Sequence, residues 1–181
     1  TNVEAAAARL DTLLKDPRGD MFWMDPFLTV AYAGQDVLPV DTKRKMRDLW
    51  RTYQPYRGDT ENHWALYYTC MYLAAQMYPD EPGETWFTGK SSQENREEAK
   101  EYLLSWIDLT TTLGQGEYDS PHYIKVYYAP MALLYAYAEE PEMRQRAAMM
   151  LDYLTADFAT ELLAGHYGGA HARVYEREAV A

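Results

Sequence analysis

Between Trp64 and Tyr78, and again between Val126 and Ala138, the chain carries no charged residue. A helix that is apolar around its whole circumference has no face to give to water and must be enclosed by protein. These two stretches therefore predict inner helices. Three other segments, 41–54, 91–113 and 141–164, set charges on one side and Leu, Met, Trp or Phe on the other at spacings of three and four, the pattern of helices that coat a core. Segments 2–15 and 25–34 bring the expected total to about seven helices, and no segment alternates with the period of two that a strand requires.

Boundaries follow from capping chemistry. Asn2, Asp25, Asp41, Thr60, Ser91, Ser120 and Glu140 are the expected N-caps, with Pro26, Pro121 and Pro141 as first helical residues and Ser91 with Glu94 as a capping box. Gly114 and Gly165 are expected to end two helices, and Pro130 to kink the second inner one. The inner segments also correspond at an offset of 60 residues, pairing Asp59 with Asp119, Thr60 with Ser120, Tyr67 with Tyr127, Tyr68 with Tyr128, Met71 with Met131 and Leu73 with Leu133. A repeated helical hairpin with alternating inner and outer helices predicts an all-α fold, an α/α toroid spanning residues 1–181 as a single domain. About seven helices make an incomplete ring, so the expectation is a fragment of a longer protein. The start without Met, on an amphipathic Ala-rich segment, predicts a processed or trimmed N-terminus.

Charge narrows the partners. A net charge of −11 repels a nucleic-acid backbone, and no basic stripe interleaved with aromatics offsets it. Lys43, Arg44, Lys45, Arg47, Arg51 and Arg57 are six of the 17 basic residues, and the expectation for them is a solvated outer helix face. No run of apolar residues is long enough for a membrane span. Cys70 is the only cysteine, which excludes an intrachain disulfide and predicts a buried thiol.

Three constellations carry chemistry. In Arg57-Gly58-Asp59-Thr60-Glu61-Asn62-His63-Trp64, capping places Asn62 and His63 in the first turn of an inner helix. Free N–H groups and the positive dipole end there favour an anionic ligand and a neutral, proton-accepting His63. In Gly116-Glu117-Tyr118-Asp119-Ser120-Pro121-His122-Tyr123, His122 and Tyr123 open the second inner helix and match Asn62 and His63 in the 60-residue register. The third is the glycine-bracketed segment from Gly165 to Tyr175, where Arg173 offers two-point pairing to a carboxylate. His166 and His171 are five apart, the four histidines match no zinc spacing, and neither a nucleophile elbow nor a phosphate-cradling loop occurs, so no metal or cofactor is expected.

With Asn62-His63-Trp64 and, one hairpin later, His122-Tyr123, the segment from 57 to about 128 resembles the α/α-toroid polysaccharide lyases of the alginate and chondroitin lyase type. It is also similar to a group of longer bacterial proteins of uncertain function that contain a toroid segment. The lyase resemblance implies cleavage of a uronic-acid-containing polysaccharide by β-elimination. Asn62 would hold the uronate carboxylate, His63 would neutralise it or take the C5 proton, and Tyr123 would protonate the leaving glycosidic oxygen. Arg57, Trp64, Tyr118, His122, His171 and Arg173 are the expected substrate contacts, Tyr118 being a rival acid. The family has an arginine near its tyrosine; none stands just before Tyr123, so Arg173 or Arg57 must serve. The implied partner is an acidic polysaccharide, and the implied location secreted or periplasmic. Two alternatives stand beside this reading: a non-catalytic carbohydrate-binding or scaffold module, and a glycoside hydrolase using Glu117, Asp119 and Glu61.

Overall fold

The structure is a computed structural model that describes residues 2–168 and 172–175. It is mostly helical, with seven α-helices: α1 (Asn2–Leu14), α2 (Met21–Ala33), α3 (Val40–Thr52), α4 (Glu61–Met77), α5 (Ser92–Leu113), α6 (Ile124–Tyr137) and α7 (Pro141–Thr160). Expected and observed helices correspond one to one.

Several ends lie where capping chemistry put them. Ser91 and Glu94 form the reciprocal capping box of α5, Gly114 ends that helix at φ 87°, and Pro141 opens α7 behind Glu140. Others are displaced. The N-cap of α2 is Asp20, whose carboxylate accepts from the Phe22 N–H at 3.0 Å, so Asp25 and Pro26 lie inside the helix. Helix α3 starts behind Pro39, not at Asp41. Residues 121–123 form a turn and α6 begins only at Ile124, so Pro121 is not a first helical residue. Gly165 caps no helix: α7 stops at Thr160, and Gly165, at φ 86°, turns a short antiparallel ladder between β1 (Leu162–Leu163) and β2 (His166–Tyr167). A two-residue strand is too short to show a period in sequence.

Helix α4 packs on α5 and α6 on α7, with α4 against α6 and α5 against α7; α2 lies on α4 and touches α6, and α1 lies on α3. One hydrophobic core runs from Leu10 to Leu154 through all seven helices. Helix α4 is its centre, with Cys70, Tyr72, Leu73 and Ala74 wholly inaccessible to solvent. Burial, and secondarily the charge of Asp25, pushes the Cys70 thiol well up. Gln76 fastens the far end of α4, donating to the Tyr32 hydroxyl (3.0 Å) and the Tyr137 carbonyl (2.8 Å) and accepting from the Glu139 N–H (2.8 Å).

The charge-free run of α6 is less enclosed than that of α4. Ala132, Tyr135 and Ala136 face solvent, because among the described residues α6 has α4, α7 and the edge of α2 around it but no further helix on its remaining side. Among the described residues no ring closes. The basic cluster on α3 is an ion-paired surface: Arg44 meets Asp41 (2.5 Å), Lys45 meets Asp11 and Asp41 (2.7 Å each), and Arg47 forks onto Glu81. Its charge is offset by Asp41 and Asp48 on α3 itself and by Asp11 and Glu81 from outside that helix. No helix among the described residues is long and apolar enough to cross a membrane.

Candidate functional site

The beginnings of α2, α4 and α6 meet at one end of the molecule. Asp20, at the start of α2, turns its second carboxylate oxygen to His63 Nε2 at 3.5 Å, while Thr60 Oγ1 lies 2.6 Å from His63 Nδ1. Thr60 precedes α4 as expected, but its hydroxyl orients His63 and makes no capping bond to the backbone. Phe22 packs edge-on against the His63 ring with centroids 5.0 Å apart. Gly58 holds the other side: at φ +75°, a Cβ there would stand 2.6 Å from His63 Cγ, so only glycine leaves room for the imidazole.

Tyr123 stands at the entrance of α6, where its hydroxyl accepts from Arg173 Nη1 at 2.7 Å and lies 3.2 Å from the Tyr175 hydroxyl. The hydrogen bond with Tyr175 and, after it, burial push the Tyr123 hydroxyl up against the downward pull of Arg173, so the group keeps its proton at neutral pH. Arg173 owes its place to backbone clasps. Ser120 Oγ donates to the Arg173 carbonyl at 2.5 Å, and the Ala172 N–H donates to the Tyr118 carbonyl at 2.8 Å. The expected arginine partner of Tyr123 thus comes from 50 residues downstream, a distance at which sequence spacing carries no signal. His122 packs edge-on against both Tyr123 and Tyr175.

Between these two centres lies Glu117. Its carboxylate accepts from Asn62 Nδ2 at 2.5 Å and sits 3.8 Å from Arg173 Nη1. Asn62 is only 1% exposed, and its carbonyl oxygen has no partner among the described residues. Asn62 therefore reaches a ligand only when Glu117 gives way.

The remaining candidates are spread more widely. Arg57 lies over the Trp64 ring at 4.3 Å, and Trp64 Nε1 donates to the Gly58 carbonyl at 2.8 Å, so this pair is occupied with itself. Arg57 lines a polar, open groove of about 630 Å³ with Tyr56, Tyr67 and Phe87, on the Gly58 side of His63. A separate pocket of about 390 Å³ lies on the Phe22 side and is lined by His122, Tyr123, Lys125 and Asp25. Tyr118 is exposed, and the neighbouring Asp119 carboxylate pushes its hydroxyl up to about 12. His171 lies outside the described residues.

Two of the carboxylates considered for hydrolysis are engaged inside the protein. Glu61 accepts from Trp106 Nε1 (2.8 Å), the Tyr127 hydroxyl (3.1 Å) and the Gly116 N–H, which fills both of its oxygens. Asp119 is wholly buried at φ +47°, beside Asp157, whose carboxyl is pushed up to about 6 by burial first and by the Asp119 charge second. Among the described residues no three metal-ligating side chains are grouped to hold an ion.

Sequence reasoning missed Asp20 and Asp25 as site residues. Asp20 was detectable: it directly precedes the apolar run that opens at Met21, where an N-cap belongs, but Pro26 drew the expected helix start onward to Asp25. No protein-family model, curated protein or solved structure matches the chain.

Proposed function

We propose that the rim formed by the starts of α2, α4 and α6 binds a uronic-acid-containing polysaccharide and cleaves it by β-elimination. The observation that carries this reading is the Tyr123 hydroxyl, protonated and held 2.7 Å from the Arg173 guanidinium. In the proposed reaction His63, oriented by Thr60 and Asp20, takes the C5 proton. The C4–O bond breaks as the C4–C5 double bond forms, and Tyr123 gives its proton to the departing glycosidic oxygen. Neutralising the uronate carboxylate makes the C5–H more acidic. Glu117 is itself an anion held between Asn62 and Arg173, and a substrate carboxylate that displaced it would meet the same two groups.

The same reading takes the seven helices as an arc of an α/α toroid. The alternation of enclosed and coating helices supports it, as do the uncovered apolar residues Val30 on α2 and Tyr135 on α6, where a further helix pair would pack. A non-catalytic carbohydrate-binding module is the second reading. It is favoured by the burial of Asn62 and by the mutual occupation of Arg57 and Trp64. The hydrolase alternative has less support, because Glu61 is saturated with hydrogen bonds and Asp119 is sealed from solvent.

The test is incubation of the chain with alginate, polygalacturonate and hyaluronan in ¹⁸O-labelled water, with the products read by mass spectrometry. Elimination predicts unsaturated ends with no label from bond cleavage, lost in Arg173→Ala. Saturated new ends, one water heavier than the elimination products, would mean hydrolysis, and intact polymer that still binds would favour the non-catalytic module.

A further inference from the structure

The pocket where α2, α4 and α6 meet has a feature the elimination reading does not use. Phe22, Leu66, Val126 and Ala129 give it walls of carbon, and Asp25 sets a carboxylate among them. One oxygen of that carboxylate, Oδ1, is sealed from solvent and accepts no hydrogen bond among the described residues. No Lys, Arg or His forms an ion pair with it there. A carboxylate surrounded by carbon and lacking a countercharge is costly, and a ligand that supplies the missing charge recovers that cost.

We propose that this pocket binds a small organic ammonium compound, its charged head on the Asp25 carboxylate and its apolar body against Leu66, Val126 and Ala129. A volume of about 390 Å³ suits a ligand of one ring or a short branched chain. The rings of Phe22 and Tyr123, which also line the pocket, offer π-faces to a cation. Lys125, exposed on the pocket lining, disfavours a second positive charge on the ligand and limits the class to monocations or to zwitterions with the anion outermost. Burial alone pushes the Asp25 carboxyl up to about 6, so at pH 7.5 it is mostly ionised and ready to pair. The inference goes beyond the polysaccharide reading and does not depend on it, although Tyr123 and His122 border both sites.

Isothermal titration calorimetry of the full chain at pH 7.5 tests the inference with three probes of one shape: benzylammonium, benzyl alcohol and benzoate. Saturable binding is expected for benzylammonium, at least tenfold weaker binding for the alcohol, and none for benzoate. Asp25→Asn, checked for helicity by circular dichroism, is expected to lower benzylammonium affinity at least tenfold. Equal binding of the alcohol, no saturable binding of benzylammonium by the natural chain, or unchanged affinity in a folded Asp25→Asn variant would each overturn the proposal. The comparison of probes on the natural chain decides the matter even if the variant does not fold.

Discussion

Asp25 is the residue at which charge and burial conflict most openly. Its folded pKa is raised from 3.8 to about 6 by desolvation, so the folded chain holds this proton more tightly than the unfolded one. The stabilisation is therefore full below about pH 4 and is lost as pH rises through about 6. Asp25→Asn is expected to be more stable than the natural chain at pH 7.5, by about 1–2 kcal/mol once the cost of burying an amide is deducted from a shift of about two units. The gain should vanish at pH 4, and urea denaturation at the two pH values measures both. Gly58 gives a prediction of the opposite sense. With φ +75° and the His63 ring 2.6 Å from where a Cβ would lie, Gly58→Ala should cost about 1–3 kcal/mol and displace the imidazole. Loss of the Phe22–His63 ring contact in an NMR spectrum would report that displacement. His63 and Tyr123 were legible in the sequence because each stands beside a recognisable helix start. Of the groups that orient them, Arg173 was legible only as one of two arginines that could serve Tyr123, and Asp20 was passed over, because they arrive from 50 and 43 residues away, where spacing carries no signal.

At the scale of elements, the start of α4 is pinned more by one carboxylate than by its cap. Glu61 gathers Trp106 of α5, Tyr127 of α6 and the Gly116 backbone, so Glu61→Ala would orphan three donors at once. A loss of about 2–4 kcal/mol in urea denaturation is expected, against about 1 kcal/mol for Ser91→Ala, which removes half of the α5 capping box. Apolar spacing made the existence of every helix legible, because burial of a periodic face is a local property of sequence. Ends were legible at Ser91, Gly114 and Pro141, where a capping side chain, a positive-φ glycine and a first-turn proline each act on the local backbone. Thr60 turns its hydroxyl to His63, and Ser120 divides its hydroxyl between the Tyr123 N–H and the Arg173 carbonyl, so a capping residue type there serves the site instead of the helix.

For the whole molecule, lack of charge predicted enclosure, and it did so fully only for α4. Enclosure depends on how many neighbours a helix has, which no single stretch of sequence encodes: α4 lies among α2, α5 and α6, whereas α6 keeps one apolar side open. Tyr135, 56% exposed, should accept Lys within about 0.5 kcal/mol, while Leu73→Ala in the middle of α4 should cost about 2–5 kcal/mol. Thermal unfolding of the two variants compares them directly. The starts of α2, α4 and α6 lie together because these helices touch, and that meeting brings His63, Tyr123, Arg173 and Glu117 into one neighbourhood. The claim that this neighbourhood performs β-elimination is tested most directly by following ultraviolet absorbance at the unsaturated-uronate band during incubation with uronic-acid polysaccharides, for the natural chain and for Tyr123→Phe. Elimination with Tyr123 as the acid predicts a rise with at least one polymer and its loss, by about 100-fold or more in rate, in the folded variant. No rise on any polymer, or an equal rise in the variant, would contradict it.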